Sequence, residues 1–245
     1  MRNRFNKCFC VVLVLIIILC NGCSKKDVIV SAFEDLYASN FTYTELHTYT
    51  DNGQSHSYGY DGEFTADPHI KHLTVTEGEV LWSELYVYEE DETFKGIAKV
   101  NENWQKVMVV DERFDGYEER YAIQINAKEE KTIDGVAYDV YQTEYTVDLA
   151  EKYELEEEIE ATVTQEYYIN QETGKIEKIV SDAAEFGRMT SIAVMMQLDG
   201  TSFEEAAAQE KELKPDDEVN MIEINITYQG EEFQLEIPKV SEEGN

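Results

Sequence analysis

The chain is poor in the residues that staple or stiffen a fold. It has 245 residues but four cysteines, and Cys8, Cys10, Cys20 and Cys23 all lie at its start. From Cys23 onward one cysteine is left, which excludes an intrachain disulfide and a cysteine metal cluster in the body. Only three prolines occur, Pro68, Pro215 and Pro238, and no Pro-rich or Ser-rich linker or internal repeat divides the sequence. One domain with a sizeable core is the simplest account at this length. Basic residues are scarce as well: 20 Lys and Arg stand against 52 Asp and Glu, a formal net charge of −32. Such a body repels phosphates, which argues against sequence-independent nucleic-acid binding. Catalytic signatures are also missing. There is no G-x-S-x-G, Walker loop, dinucleotide fingerprint or HExxH, and Asp111 to Gly116 lacks the ligand alternation of an EF-hand. With so many carboxylates, spacing singles out no acid–base pair. The expectation is a non-enzymatic protein without cofactor or bound metal.

What is present begins with a leader. The basic stretch MRNRFNK precedes an apolar run, CFCVVLVLIIILC, that is short for a membrane span. Leu19-Cys20-Asn21-Gly22-Cys23 resembles a bacterial lipobox, although Cys20 and Asn21 depart from the usual residues there. The resemblance implies cleavage after Gly22 and a diacylglycerol thioether on Cys23, and two acyl chains hold a protein more firmly than one. Residues 1–22 are then a lipoprotein signal peptide, and 23–40 form the anchor, a short tether and a first helix. Residues 41–240 are the domain and 241–245 a flexible tail. This places the protein on the extracytoplasmic face of the cell membrane.

Behind the tether, Ile29, Phe33, Leu36 and Tyr37 share one helical face, which predicts an amphipathic helix over 28–38. From Phe41 the period becomes two, with β-branched and aromatic residues dominant and turn pairs such as Asp61-Gly62 and Asp134-Gly135 between runs. Strands are expected at 41–50, 55–64, 69–76, 80–89, 93–100, 104–110, 121–133, 136–147, 161–169, 175–184, 219–228 and 232–237, as one large antiparallel sheet. Three stretches interrupt the series, 111–119, 148–160 and 186–213. In the last, Ser202 and Glu205 have capping-box spacing ahead of Ala206, Ala207 and Ala208, so a helix is expected over 202–213 and ends before Pro215. Residues 189–198, MTSIAVMMQL, read equally as helix or strand.

The runs Asp67-Pro68-His69-Ile70-Lys71-His72-Leu73-Thr74-Val75-Thr76, Glu84 to Glu89, Asn101 to Lys106 and Tyr167 to Lys178 are similar to segments of secreted Gram-positive lipoproteins of unknown activity. Those proteins resemble the wider LolA/LppX-like class. The resemblance implies an α+β fold, a strongly curved antiparallel half-barrel with helices against its concave face, and the carriage of lipids or acyl chains.

An apolar-ligand carrier needs a surface left greasy but unfilled, and adaptable methionines suit such a lining. Met189, Ile192, Val194, Met195, Met196 and Leu198 are the candidates, with ordinary core packing as the bland alternative. The expected partners are the cell membrane, through the diacylglycerol anchor, and an apolar ligand, the protein itself being a monomer. The rival reading is a surface module that recognises a glycan or a protein through tyrosines sharing a strand face: Tyr58 with Tyr60, Tyr86 with Tyr88, Tyr141 with Tyr145. His69 and His72 are placed on opposite faces of a strand, whereas His47 and His56 can approach across a turn. With no cysteine companion they read as plain surface residues. The acidic runs at 89–92 and 154–158 read as solvated charge.

Overall fold

The computed structural model describes residues 25–51, 54–77, 80–91, 93–100, 102–107, 124–213 and 220–240. The expected signal peptide, the lipobox with Cys23, the 111–119 interruption and the 241–245 tail lie outside the described residues.

Helix α1 (Lys25–Tyr37) opens the described chain. Its buried face is Ile29, Ala32 and Leu36, the i, i+3, i+7 stripe of an amphipathic helix. The Ser39 hydroxyl then donates to the Asp35 carbonyl at 2.7 Å, which satisfies one of the orphan acceptors at the helix end. Six strands follow as a meander: β1 (Phe41–Asp51), β2 (Gln54–Thr65), β3 (Ile70–Glu77), β4 (Val80–Glu90), β5 (Thr93–Val100) and β6 (Asn103–Val107). The chain resumes with β7 (Gln124–Ile133), β8 (Val136–Asp148), the short helix α2 (Leu149–Tyr153), β9 (Glu160–Asn170) and β10 (Ile176–Asp182). Helices α3 (Ala184–Asp199) and α4 (Phe203–Leu213) lead to the last strand, β11 (Asn220–Tyr228).

The eleven described strands form one antiparallel sheet in the order β6-β5-β4-β3-β2-β1-β11-β10-β9-β8-β7. Two meanders run to opposite edges, and β11 joins them by pairing with β1 on one side and β10 on the other. With helices on one face, this is the expected α+β arrangement, a curved, open half-barrel sheet. Hairpin chemistry is local: Asp134 and Gly135 both have positive φ, 51° and 86°, as a type I′ turn requires.

Two apolar clusters pack on the same face of the sheet. In the first, α1 sits on Phe41, Phe64, Tyr167, Ile179 and Ile226. Each fully buried aliphatic side chain there contributes about 1.5–3 kcal/mol relative to exposure. In the second, Met189, Ile192, Ala193 and Met196 of α3 close over Leu149, Ile159, Ala161 and Ala206. Residues 189–198 are therefore helical throughout, and Gly200 ends α3 at φ 64° with its N–H on the Met196 carbonyl, the left-handed stop that glycine adopts without a Cβ penalty. The capping box at Ser202 forms as expected. The Ser202 N–H donates to a Glu205 carboxylate oxygen at 3.2 Å, and the Glu205 N–H to the Ser202 hydroxyl at 3.4 Å.

One expected strand does not form. Residues 232–237 are turn and coil, because both edges of the preceding β11 are already taken. Asn40 pins this tail instead, its amide donating to the Gly230 and Phe233 carbonyls at 3.3 Å while its side-chain oxygen accepts from the Ala66 N–H at 3.0 Å.

Candidate functional site

Directly paired residues of adjacent strands point to the same face, so the register maps the helix-covered side outward from the α1 cluster. Phe41 pairs with Phe64, Tyr43 with Gly62 and Glu45 with Tyr60. The next pairs place Leu73 beside Gly62 and Val75 beside Tyr60, then Leu85 beside Leu73, Val87 beside Lys71 and Ala98 beside Leu85. Leu73, Val75, Leu85, Val87 and Ala98 thus form an apolar stripe that continues the helix-covered face across three strands. Each is half-buried. Among the described residues, neither apolar cluster draws a side chain from β3–β6. The stripe is greasy surface that the described helices do not use.

Where β1 and β2 border this stripe, the same face turns aromatic and polar. The His47 Nε2 contacts a Glu45 carboxylate oxygen, and the Tyr58 hydroxyl lies 3.0 Å from His47 Nδ1. A carboxylate only accepts, so its partner nitrogen donates and Nδ1 is left to accept from the phenol. Tyr58 also stacks on His47, with centroids 4.6 Å apart, and Tyr60 meets His47 edge-on at 5.2 Å. Tyr49 stacks on His56 at 5.4 Å. Burial, then Tyr60 and Glu45, push the Tyr58 phenol above its ordinary value. The result is a five-ring ledge ending in a Tyr–His–Glu relay.

The six sequence candidates divide by helix face. Met189, Ile192 and Met196 are buried in the second cluster; Met195 and Val194 are half-buried, and Leu198 is 76% exposed. Between the two clusters runs a buried polar seam in which Gln165 donates to the Ser181 hydroxyl at 2.9 Å and accepts from the Tyr167 hydroxyl at 2.6 Å. The helix-covered face is therefore packed at two places and interrupted by polar groups, and the apolar part that no described helix covers lies on β3–β5. Residues two apart on a strand share a face, which pairs Leu73 with Val75 and Leu85 with Val87, but only register shows that they share a face with α1.

On the opposite face, apolar residues such as Ile70, Ile97 and Val140 flank a polar patch at the middle of β1, β2 and β3. Asp61 and Glu63 of β2, Thr42 and Thr44 of β1, and Thr74 and His72 of β3 line a cleft of about 380 Å³. The expectation that the histidines are plain surface residues fails here. The His72 side chain is 14% exposed, with Nδ1 2.6 Å from Glu63 and Nε2 3.3 Å from Glu84, and its ring stacks on Tyr86 at 4.1 Å. His69 lies in the turn before β3 rather than on the strand, its ring edge-on to Phe64 and Phe94. His47 and His56, expected to be able to meet, instead each stack on a tyrosine. Of the tyrosine pairs, Tyr86 and Tyr88 face the open side. Tyr58 and Tyr60 face the helix side, as do Tyr141, which is buried, and Tyr145.

No family model matches the chain, and no curated protein matches its sequence. Among solved structures, it is similar to the Mycobacterium tuberculosis lipoprotein LppX, with 11% identity, 84% of this chain and 96% of that chain covered and a TM-score of 0.44. It is also similar to a LolA superfamily protein from Nitrosomonas europaea, with 10% identity, coverage of 82% and 93% and a TM-score of 0.39. At these identities the likeness concerns the path of the chain and says nothing of ligands.

Proposed function

We propose that this protein is a non-enzymatic, lipid-anchored carrier that holds an apolar ligand on the outer side of the cell membrane, tethered through Cys23. The observation that supports the reading is the stripe of Leu73, Val75, Leu85, Val87 and Ala98, an apolar surface continuous with the core yet outside both described clusters. An acyl chain laid on it removes apolar area from water at roughly 25 cal/mol per Å². The Glu45–His47–Tyr58 relay at its border supplies hydrogen-bonding groups for the polar end of an amphiphile. Of the six methionine-helix candidates, Val194, Met195 and Leu198 are accessible to such a ligand as α3 stands, whereas Met189, Ile192 and Met196 meet it only if α3 lifts from β9.

Uptake of a fluorescent fatty acid by delipidated protein tests the reading. Leu85→Glu puts a charge in the stripe without touching either cluster and is expected to abolish uptake, while Met195→Glu weakens it. Unchanged uptake in Leu85→Glu would overturn the site. Labelling with radioactive palmitate, lost in Cys23→Ala, checks the anchor separately.

A further inference from the structure

We infer that the open face carries a second, independent binding site, for a glycan segment bearing a free amine. Register arranges this face as a grid. One row across four strands is Asn225, Thr44, Asp61 and Thr74; the next is Thr227, Thr42, Glu63 and His72. Neighbours within a row stand about 4.8 Å apart, and the rows are separated by two residues of strand, about 7 Å. These eight polar side chains line the 380 Å³ cleft together with Tyr43 and Gly62. Beyond the cleft the second row continues into Tyr86 and the first into Glu84, and Trp104, opposite Lys99 on β6, meets the Tyr86 ring edge-on at 5.3 Å. Together with His72 these two rings make an aromatic ledge along one side of the polar grid.

The chemistry selects the ligand. An acyl chain finds no aliphatic side chain in the cleft, whose apolar lining comes from threonine methyls, carbon atoms of the strands and the Tyr43 ring. A phosphorylated or sulfated ligand meets two carboxylates within it and a chain of net charge −32, both repulsive. Among the described residues no group of His, Cys, Asp or Glu is arranged to hold a metal ion. What fits is a molecule with many hydroxyls and an apolar ring face. Threonine hydroxyls donate and accept, carboxylates accept from sugar hydroxyls, and the C–H face of a sugar ring packs on an aromatic body. The amine follows from charge pairing. Glu63 is engaged by His72, and Glu84 by His72 and Lys99, whereas among the described residues no ion pair engages Asp61, leaving one exposed carboxylate between Thr44 and Thr74 to receive an ammonium.

The test is calorimetric titration of the full-length protein, at physiological salt, with a glucosamine trisaccharide, its fully N-acetylated counterpart and trilysine. The glucosamine trimer is expected to bind saturably. Asp61→Asn should weaken it about tenfold, the scale of one charge-assisted hydrogen bond. The acetylated trimer should lose a similar factor, and Trp104→Ala should weaken both sugars. Leu85→Glu, on the other face, should leave all three unchanged, so failure of the carrier reading and failure of this one are separable. Trilysine binding as tightly as the sugar, equal binding of the acetylated trimer, or indifference to Asp61→Asn would each overturn the proposal.

Discussion

The ring of Tyr43 lies in the space that a side chain on Gly62, its cross-strand partner, would fill. Glycine here is a matter of close approach rather than of backbone conformation: its missing Cβ lets the Tyr43 ring lie over it, at the strand position where Leu73 begins the stripe that no described helix covers. Gly62→Ala forces the ring to move and is expected to cost about 1–3 kcal/mol, as overpacking generally does. In a Tyr43→Ala background most of that cost should vanish. Urea denaturation of the four proteins of the cycle gives the coupling, and equal costs in both backgrounds would refute this account of the glycine.

The two sides of α3 should respond very differently to truncation. Ile192 is 1% exposed, whereas Leu198 is 76% exposed. Ile192→Ala leaves a cavity against Leu149 and Ala161 and is expected to lose about 2–5 kcal/mol. Leu198→Ala should stay within about 0.5 kcal/mol. Thermal unfolding separates them, and comparable losses would mean that α3 does not pack as described.

Stability should bend at both ends of the pH scale. Hydrogen bonds from Lys178 and Asn225 hold the Glu223 carboxyl below its ordinary value of 4.5. Its contribution is therefore present above that value and disappears as pH falls through the lower folded value. For a partly exposed pair the amount is on the order of 0.5 kcal/mol, so Glu223→Gln should be slightly less stable than the parent near neutrality and should converge with it in acid. At the alkaline end, burial raises Tyr86, with Glu84 and Glu63 adding to the effect. The unfolded phenol ionises first, and stability should fall once pH passes 10.0. Tyr86→Phe removes part of that alkaline loss, as read by denaturant midpoints across pH.

Salt should stabilise this protein. With a net charge of −32, self-repulsion opposes compaction. Raising ionic strength from about 0.01 to 0.15 M shrinks the Debye length from roughly 30 to 8 Å, so the melting temperature should rise over that range. A falling midpoint would show that ion pairs such as Lys178–Glu223 outweigh the repulsion.

Much of the architecture is written locally. Alternation and turn pairs placed all eleven described strands within a few residues, and the i, i+4, i+7 spacing of Ile29, Phe33 and Leu36 placed α1. Ser202 and Glu205 marked the start of α4 because a capping box needs only neighbours along the chain. Local information failed where a segment suits two states. MTSIAVMMQL is apolar nearly all round, and it became helix by packing Met189, Ile192 and Met196 on a sheet face. Residues 232–237 alternate like a strand but find no free edge beside β11.

The amino-acid order by itself determined the β-rich class, the acidity that argues against sequence-independent nucleic-acid binding, and the absence of thiols after Cys23, since these depend only on composition and short-range pattern. Tertiary structure alone decided that β11 enters between the first and tenth strands, that Leu73 and Leu85 continue the face of α1, and that Asp61, Thr44 and Thr74 stand side by side. Those neighbours lie on different strands, and pairing register, which one residue's slip would invert, is settled only when the whole sheet has formed.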